Sequence, residues 1–125
     1  MLKKRTLLAL PLVGAFLLLA GCRSEQHRTQ LAPGRSAKWT ICFGIPESKI
    51  EVKVAPVSGG QRYSVKVGYE EPDFDRSYYR EHRGGGERTY DFGLWDYDHC
   101  PSVIVKNLGT GKMDAYVTIT YDLEP

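Results

Sequence analysis

The sequence has little that would support a long helix, a membrane span or a catalytic centre. Apart from one stretch near the N-terminus, no long apolar run occurs, and no segment has the hydrophobic period of an amphipathic helix. Neither a His-Glu-x-x-His zinc motif nor a glycine-flanked serine nucleophile is present. These absences argue against an all-α fold and against common enzyme chemistries, so we expect a protein that is not an enzyme.

An excess of charge of one sign is also lacking. The chain has 17 basic and 15 acidic residues, and three of the basic ones are Lys3, Lys4 and Arg5. Without these three, 14 basic residues stand against 15 acidic ones, which gives a net charge of −1. We therefore expect no nucleic-acid partner, because affinity for nucleic acid depends on a basic surface.

The N-terminal residues are arranged like an export signal. The three basic residues precede an apolar run from Leu7 to Leu19. This run has about 13 residues, whereas a membrane-spanning helix needs about 17–25. The small residues Ala20 and Gly21 follow it and fit the cleft of a signal peptidase. We expect residues 1–21 to be a helical signal peptide.

The end of this signal carries a cysteine. Leu19-Ala20-Gly21-Cys22 resembles the lipobox of bacterial lipoproteins, and the resemblance covers about the first 22 residues. It implies cleavage before Cys22, a diacylglyceryl group on the Cys22 sulfur and often a further acyl chain, such as palmitate, on the new amino group. Two or more acyl chains anchor a protein stably to a membrane. The alternative is an ordinary secretory signal, or an uncleaved anchor, with a chance cysteine.

The resemblance also implies a location. A lipoprotein of this kind lies in the cell envelope and faces the periplasm or the cell exterior. The residue after the cysteine is Arg23, whereas an aspartate there resembles the signal for retention in the inner membrane. If the organism has two membranes, we expect the outer membrane, with the protein facing the periplasm.

Only three cysteines are present. If Cys22 carries lipid, Cys42 and Cys100 remain, and disulfides persist in the compartments that exported proteins reach. A disulfide between them would close a loop of about 58 residues and contribute about 4 kcal/mol in the chain-entropy model. The alternative is two unpaired buried cysteines.

The part of the chain after Cys22 divides into two regions. Residues 23–36 are polar and end in a Pro-Gly turn, so we expect residues 22–36 to be the lipidated cysteine and a flexible tether about 20 Å long. Residues 37–125 alternate apolar and polar side chains, with glycine- and proline-containing turns between the runs. We expect an all-β domain: an antiparallel β-sandwich, jelly-roll-like or of the accessory-module type, with six to eight short strands.

Two details of this β pattern can be checked. The alternation places Tyr90, Phe92 and Leu94 on one face of a strand, and Trp95 is expected in the core. A weaker strand is predicted over residues 76–82.

The first candidate binding site lies in that weaker strand. Tyr78, Tyr79, Arg80 and Arg83 precede a triple glycine, and tyrosine and arginine are enriched at interface hot spots. We expect these four residues to contact a protein partner, an anionic sugar or a lipid head group. The alternative is an edge strand whose charges prevent pairing between sheets.

The second candidate site is acidic. Asp73, Asp75, Asp96 and Asp98 occur at alternate positions in two loop-like stretches, and Ca²⁺ takes six to eight oxygen ligands. These aspartates are the candidate ligands of a structural Ca²⁺; no other cofactor is expected. The alternative is that they are solvated acids paired with nearby arginines.

One further resemblance concerns function. Ser58-Gly59-Gly60-Gln61-Arg62-Tyr63 resembles the Ser-Gly-x-x-Tyr stretch of membrane-bound C-type lysozyme inhibitors, with one additional residue. It implies an inhibitor or ligand-sequestering lipoprotein. Our main expectation is a non-enzymatic binding or structural accessory module whose partners are the membrane, through its lipid, and an envelope protein or peptidoglycan.

Overall fold

The computed structural model describes residues 18–19, 22–42, 47–58, 61–71, 76–96 and 100–122. Every regular element within these residues is a β-strand. In chain order the strands are β1 (Leu18–Leu19), β2 (Cys22–Leu31), β3 (Ser36–Thr40), β4 (Glu47–Pro56), β5 (Arg62–Glu71), β6 (Arg76–Gly85), β7 (Arg88–Asp96), β8 (Ser102–Asn107) and β9 (Met113–Asp122).

The strands form two antiparallel sheets. The first has the order β1-β2-β9-β4-β7 and the second the order β3-β8-β5-β6. Because β1 has only two residues, the sandwich consists of two sheets of four longer strands, and all but one of the connections between these strands cross from one sheet to the other. This is the arrangement of an eight-stranded jelly roll. The predicted antiparallel sandwich is confirmed, and the weaker strand predicted over residues 76–82 is present as β6.

The core follows from the period-two pattern. In β4, Ile50, Val52 and Val54 are fully buried while Glu51 and Lys53 between them are exposed, because successive side chains of a strand point to opposite faces. The other fully buried large side chains among the described residues are Ile41, Tyr63, Val65, Val67, Val103, Val105, Met113, Val117 and Ile119, and they come from both sheets or from residues beside their strands. Each sheet thus contributes one apolar face to a common core.

The alternation predicted for β7 is wrong at Leu94. Asp91 pairs with Glu51, and Leu94 pairs with Lys49. Between these two pairs β4 has one residue, Ile50, whereas β7 has two, Phe92 and Gly93. This β-bulge contains Gly93, whose φ of +77° only glycine adopts readily. The bulge reverses the alternation, so Leu94 is 52% exposed and Trp95, as predicted, is buried at 6%.

The structure also differs from the prediction of a flexible tether over residues 22–36. Residues Cys22–Leu31 form the ten-residue strand β2, which pairs along its whole length with β9, from Cys22 opposite Asp122 to Leu31 opposite Met113. The polar composition that indicated a tether is that of a strand at the margin of the sandwich, and Pro33-Gly34 is the turn into β3. Cys22–Leu31 is therefore part of the sandwich, and every described strand longer than two residues lies within 22–122.

The predicted signal helix lies mostly outside the described residues. Only Leu18 and Leu19 of residues 1–21 are described, and they form β1 against Cys22 and Arg23 instead of a helix. No helix long and apolar enough to cross a bilayer occurs in the described ranges.

Hydrogen bonds between side chains add to the pairing of β2 with β9. On the outer face Arg28 donates two hydrogen bonds to Asp114, at 3.0 and 2.7 Å, which lower the pKa of this carboxyl. On the inner face Tyr121 donates a hydrogen bond of 2.7 Å to Glu25. Both faces of β2 are therefore tied to the last strand.

The predicted disulfide is confirmed. Cys42 and Cys100 are bonded, with their Cα atoms 4.6 Å apart and a sequence separation of 58, while Cys22 takes no part in a disulfide. Cys42 follows β3 and Cys100 precedes β8, which are paired strands of the second sheet. The bond therefore closes one end of this pair.

Replacing both Cys42 and Cys100 by serine should lower the free energy of unfolding by about 4 kcal/mol, because the unfolded chain regains the entropy of an open loop. Urea denaturation of the oxidised protein measures the loss. The matched control is Cys22→Ser, which should leave stability unchanged. Reductant should destabilise the wild type and not the double variant; equal sensitivity of both would contradict this account.

The bond between Tyr121 and Glu25 predicts a dependence on alkaline pH. Burial, and then this hydrogen bond, raise the pKa of Tyr121 to about 12, whereas a tyrosine in an unfolded chain titrates near 10. The stability that Tyr121 contributes is therefore complete below about pH 10 and is lost between about pH 10 and 12. The difference in unfolding free energy between wild type and Tyr121→Phe should narrow over this range in denaturation curves. A constant difference would contradict the assignment.

Candidate binding pocket

One pocket lies where the margins of the two sheets meet. β6 is the last strand of the second sheet and β7 the last strand of the first, and they run side by side without pairing. Between them opens a pocket of about 400 Å³. Its lining residues are Tyr69, Ser77, Tyr78, Tyr79, Arg80, Leu94 and Trp95.

The strand register explains why Tyr78 and Arg80 point towards this gap. Tyr78 pairs with Tyr69 and Arg80 pairs with Val67, and paired residues of neighbouring strands share a face. Val67 is fully buried, so this face is the one that looks across the sandwich. The rings of Tyr69 and Tyr78 lie 5.2 Å apart, and Tyr78 keeps 41% of its surface exposed at the rim.

Arg80 joins the two sheets across the pocket. Its guanidinium lies 4.2 Å from the centre of the Trp95 ring, and Nη1 donates hydrogen bonds to the carbonyl oxygens of Phe92, at 2.5 Å, and Leu94, at 3.2 Å. Trp95 in turn donates its indole N–H to the Phe92 carbonyl at 3.1 Å. Among the carboxylates whose side chains the structure describes, none forms an ion pair with Arg80. Its positive charge is held in place by dipoles and an aromatic face.

Tyr79 reaches the same pocket from the other face of β6. It pairs with Gly68, where an added Cβ would lie 2.6 Å from the Tyr79 ring and closer still to the Tyr78 carbonyl, so only glycine fits. The Tyr79 hydroxyl donates to Glu70 at 3.1 Å, and Lys66 lies 5.3 Å from the ring centre. Burial, and then the bond to Glu70, raise the pKa of the Tyr79 phenol. Tyr79 is thus positioned on the outer wall of the pocket.

The structure separates Arg83 from the other three predicted residues. Tyr78, Tyr79 and Arg80 line the pocket as a group, whereas Arg83 lies further along β6, is exposed and pairs with Glu81 at 3.1 Å. It lines a smaller hollow of about 190 Å³ with Arg62 and Leu108. The structure thus groups three of the four predicted residues and places Arg83 apart, because the length of β6 carries it towards the opposite end of the sandwich. The binding role of the four residues remains a prediction.

The predicted calcium ligands cannot be placed. Asp73, Asp75 and Asp98 lie outside the described residues, and Asp96 is described only as the last residue of β7. Within the described ranges no three acidic, histidine or cysteine side chains converge as metal ligands do. The calcium site remains a prediction.

Three pocket residues were missed by the sequence reasoning. Alternation indicates no more than a strand at Tyr69, no pattern marks Ser77, and alternation places Leu94 on the same face as Tyr90 and Phe92. The signal that could have found Leu94 is Gly93, since glycine within a strand often marks a bulge and a bulge changes which side chain faces out. Tyr69 joins the site only through its pairing with Tyr78, which a sequence does not display.

The tyrosine of the lysozyme-inhibitor resemblance is a core residue. Tyr63 is fully buried; its hydroxyl donates to the Gly86 carbonyl at 2.7 Å and lies 3.0 Å from the hydroxyl of Tyr90. Burial raises the pKa of Tyr63, and the hydrogen bond to Tyr90 raises it further. The inhibitor alternative stays a prediction that a muramidase inhibition assay tests.

Comparison with known proteins adds no functional assignment. No protein-family model matches the chain, and no curated protein matches it. The crystal structure of PirA is 18% identical, covers 77% of this chain and 92% of its own, and has a TM-score of 0.49. A de novo designed double-stranded β-helix is 11% identical, with coverages of 78% and 96% and a TM-score of 0.42. An oxalate oxidase in complex with the substrate analogue glycolate is 19% identical, with coverages of 82% and 42% and a TM-score of 0.40.

The bulge that shapes the pocket can be tested with two glycines. Gly93 and Gly86 both have positive φ, +77° and +71°, but an added Cβ at Gly93 lies 3.0 Å from Arg80 Nη1, whereas at Gly86 it meets nothing. Both alanine variants should lose about 1–2 kcal/mol of stability from backbone strain. In a Trp39→Phe background, only Gly93→Ala should also shift the fluorescence of Trp95. A shift of the same size in Gly86→Ala would show that Arg80 and Trp95 do not respond to the bulge.

Proposed function

We propose that this chain is a lipid-anchored lipoprotein of the bacterial cell envelope and acts as a non-enzymatic binding module through the pocket between β6 and β7. The observation that carries the binding role is the convergence of Tyr78, Arg80 and Trp95 on one open pocket. The lipobox-like sequence before Cys22 supports the anchor. In a cell with two membranes the proposed location is the outer membrane, with the domain facing the periplasm.

The dimensions and lining of the pocket suit binding. Pockets for small ligands are about 300–1,000 Å³ and combine aromatic walls with a few fixed polar groups. Here Trp95 and Tyr69 form the wall, and Arg80 is the fixed polar group, already oriented by its two carbonyl partners. A group that is oriented before the ligand arrives loses little entropy on binding.

The lining also favours binding over catalysis. The residues around the pocket supply phenols, an indole, a serine hydroxyl and a guanidinium. Nucleophilic or acid–base catalysis needs a base within hydrogen-bond reach of the group that it activates. No histidine or carboxylate is among the lining residues of the described part of the pocket. We therefore assign the site a binding role.

The position of Cys22 supports the proposed lipid attachment. It pairs with Asp122 at the start of β2, and its thiol is not used in the disulfide. Asp122 follows the buried Tyr121, so Cys22 and Asp122 both stand on the outer face of the first sheet. A substituent on the sulfur there would not enter the core.

The anchor predicts a measurable mass. Protein purified from membranes should be cleaved before Cys22 and carry added acyl mass in intact-mass analysis, because lipid attachment precedes signal removal in lipoproteins. Cys22→Ala should lack this mass and should no longer partition with membranes, whereas Cys42→Ser with Cys100→Ser should keep both properties. A wild-type mature species without acyl mass would refute the anchor.

The binding role predicts where partners are found. A photo-crosslinking residue placed at Leu94, on the pocket rim, should give crosslinked products in intact envelopes. The matched control is Val57, which is similarly exposed, at 59%, and follows β4 at the opposite end of the sandwich. Products that Leu94 and Val57 give alike, or none from Leu94, would contradict a role for the pocket.

A further inference from the structure

We propose that the pocket between β6 and β7 takes the phosphate head group of an anionic membrane phospholipid, which makes it a second, non-covalent contact of the sandwich with the membrane that holds its anchor. This inference rests on the proposed anchor at Cys22 and names the ligand of the proposed pocket. Three observations support it: the position of the pocket relative to Cys22, the residue types of its rim, and the hydrogen bonds and ion pairing of Arg80.

The pocket and Cys22 lie at the same end of the sandwich. Cys22 pairs with Asp122, and the Asp122 N–H donates to Ser48 Oγ at 2.7 Å. Ser48 pairs with Trp95 of the pocket wall. A chain of adjacent residues across β2, β9, β4 and β7 therefore joins the anchor position to the pocket.

The rim residue Leu94 lies level with Cys22 along the strands, on the line of paired residues that crosses the first sheet. Tyr121 pairs with Ile50, so the next residue, Asp122, lies beside Lys49, and Lys49 pairs with Leu94. Both Cys22 and Leu94 stand on the outer face of the first sheet. Three strand spacings separate them, which corresponds to about 14 Å.

The distance between Cys22 and Leu94 matters because no flexible tether separates Cys22 from the sandwich. β2 begins at Cys22 itself, so acyl chains on the sulfur hold the end of the sandwich against the lipid surface. The head-group region on each side of a bilayer is only about 5–8 Å thick. The rim of the pocket lies about 14 Å from Cys22 along the same end of the sandwich. When that end is held at the membrane by the anchor, the rim therefore lies at the level of the head groups.

The rim residues are those that membrane surfaces select. Tyrosine and tryptophan concentrate at the boundary between head groups and acyl chains because one end of each ring is apolar and the other polar. At the rim, Tyr78 keeps 41% of its surface exposed, and beside it Leu94 is 52% exposed. When the rim meets a bilayer, the exposed side chain of Leu94 can contact acyl chains instead of water.

Arg80 supplies the charge for a phosphate. It forms no ion pair with any carboxylate whose side chain is described. A guanidinium has five N–H donors, and the two bonds to carbonyl oxygens use only Nη1. Arginine binds phosphate oxygens by charge-assisted hydrogen bonds. Glu70, which is next to the pocket residue Tyr69, accepts the hydroxyl of Tyr79 on the outer wall. An anionic ligand would supply Arg80 with a counter-charge that no carboxylate with a described side chain supplies.

A soluble form of the sandwich tests this contact apart from the anchor. Residues 22–125 with Cys22→Ser contain every strand longer than two residues and can be incubated with vesicles of phosphatidylcholine, with or without phosphatidylglycerol, and separated by flotation. We expect binding only to vesicles with phosphatidylglycerol. Arg80→Gln should weaken it about five-fold, as one basic side chain at an anionic surface does, and Leu94→Ser should also weaken it.

Arg83→Gln is the matched control, because it removes the same charge from the same strand outside the pocket. Unchanged binding of this variant supports the proposal, and so does competition by soluble glycerol phosphate. An equal loss in Arg80→Gln and Arg83→Gln, binding to neither vesicle, or binding of peptidoglycan fragments in place of phosphatidylglycerol would each overturn it. The acyl mass on Cys22 is measured separately, so the anchor can stand when the lipid contact fails.

Discussion

The pairing of the first long strand with the last one determines the rest of this structure. β2 and β9 are paired over ten residues, from Cys22 opposite Asp122 to Leu31 opposite Met113, so the beginning and the end of the sandwich are joined side by side. Few of the side chains that β2 turns inwards are apolar, and its place in the sheet depends instead on backbone hydrogen bonds and on contacts such as that of Glu25 with Tyr121. This pairing converts a segment that reads as a linker into part of the domain. It also fixes Cys22 in space.

The other margin of the sandwich is closed differently. β6 and β7 do not pair, and the gap between them is bridged by side chains: Arg80 over Trp95, and His82 against Tyr90 and Phe92, with ring centres 5.5 and 5.0 Å apart. Aromatic rings and a cation can fill such a gap without completing a continuous apolar layer. The opening that remains at the Tyr78 end is the pocket. A polar strand at the edge of a sheet also discourages pairing with another chain, so the alternative interpretation of β6 is compatible with a binding role.

Much of the fold could be predicted because it rests on local patterns. Alternation of apolar and polar residues reports burial directly, and the turns and cysteines mark the ends of strands. Two features could not be read in this way. β2 looks like a tether because its composition is polar, and only the distant β9 makes it a strand. Unbroken alternation predicts that Leu94 is buried. In the structure one extra residue at Gly93 shifts the alternation of β7, and the apolar–polar pattern alone does not show where such a shift occurs. In the pocket, Tyr78, Tyr79 and Arg80 were recognised by residue type, whereas Tyr69 and Leu94 depend on pairing with other strands.

A rigid attachment point changes what weak binding can achieve. With a flexible tether of 14 residues, a domain samples many orientations, and a site on it meets the membrane at an effective concentration that falls with tether length. With the lipid on the first residue of a strand, one end of the sandwich stays at the surface and the orientations open to it are few. In the proposed anchored state, a pocket at that end would need only a small intrinsic affinity for a lipid head group, because a covalent anchor already holds the two surfaces together. A pocket with one oriented arginine and an aromatic rim would meet that requirement, whereas the same pocket at the opposite end would not gain from the anchor.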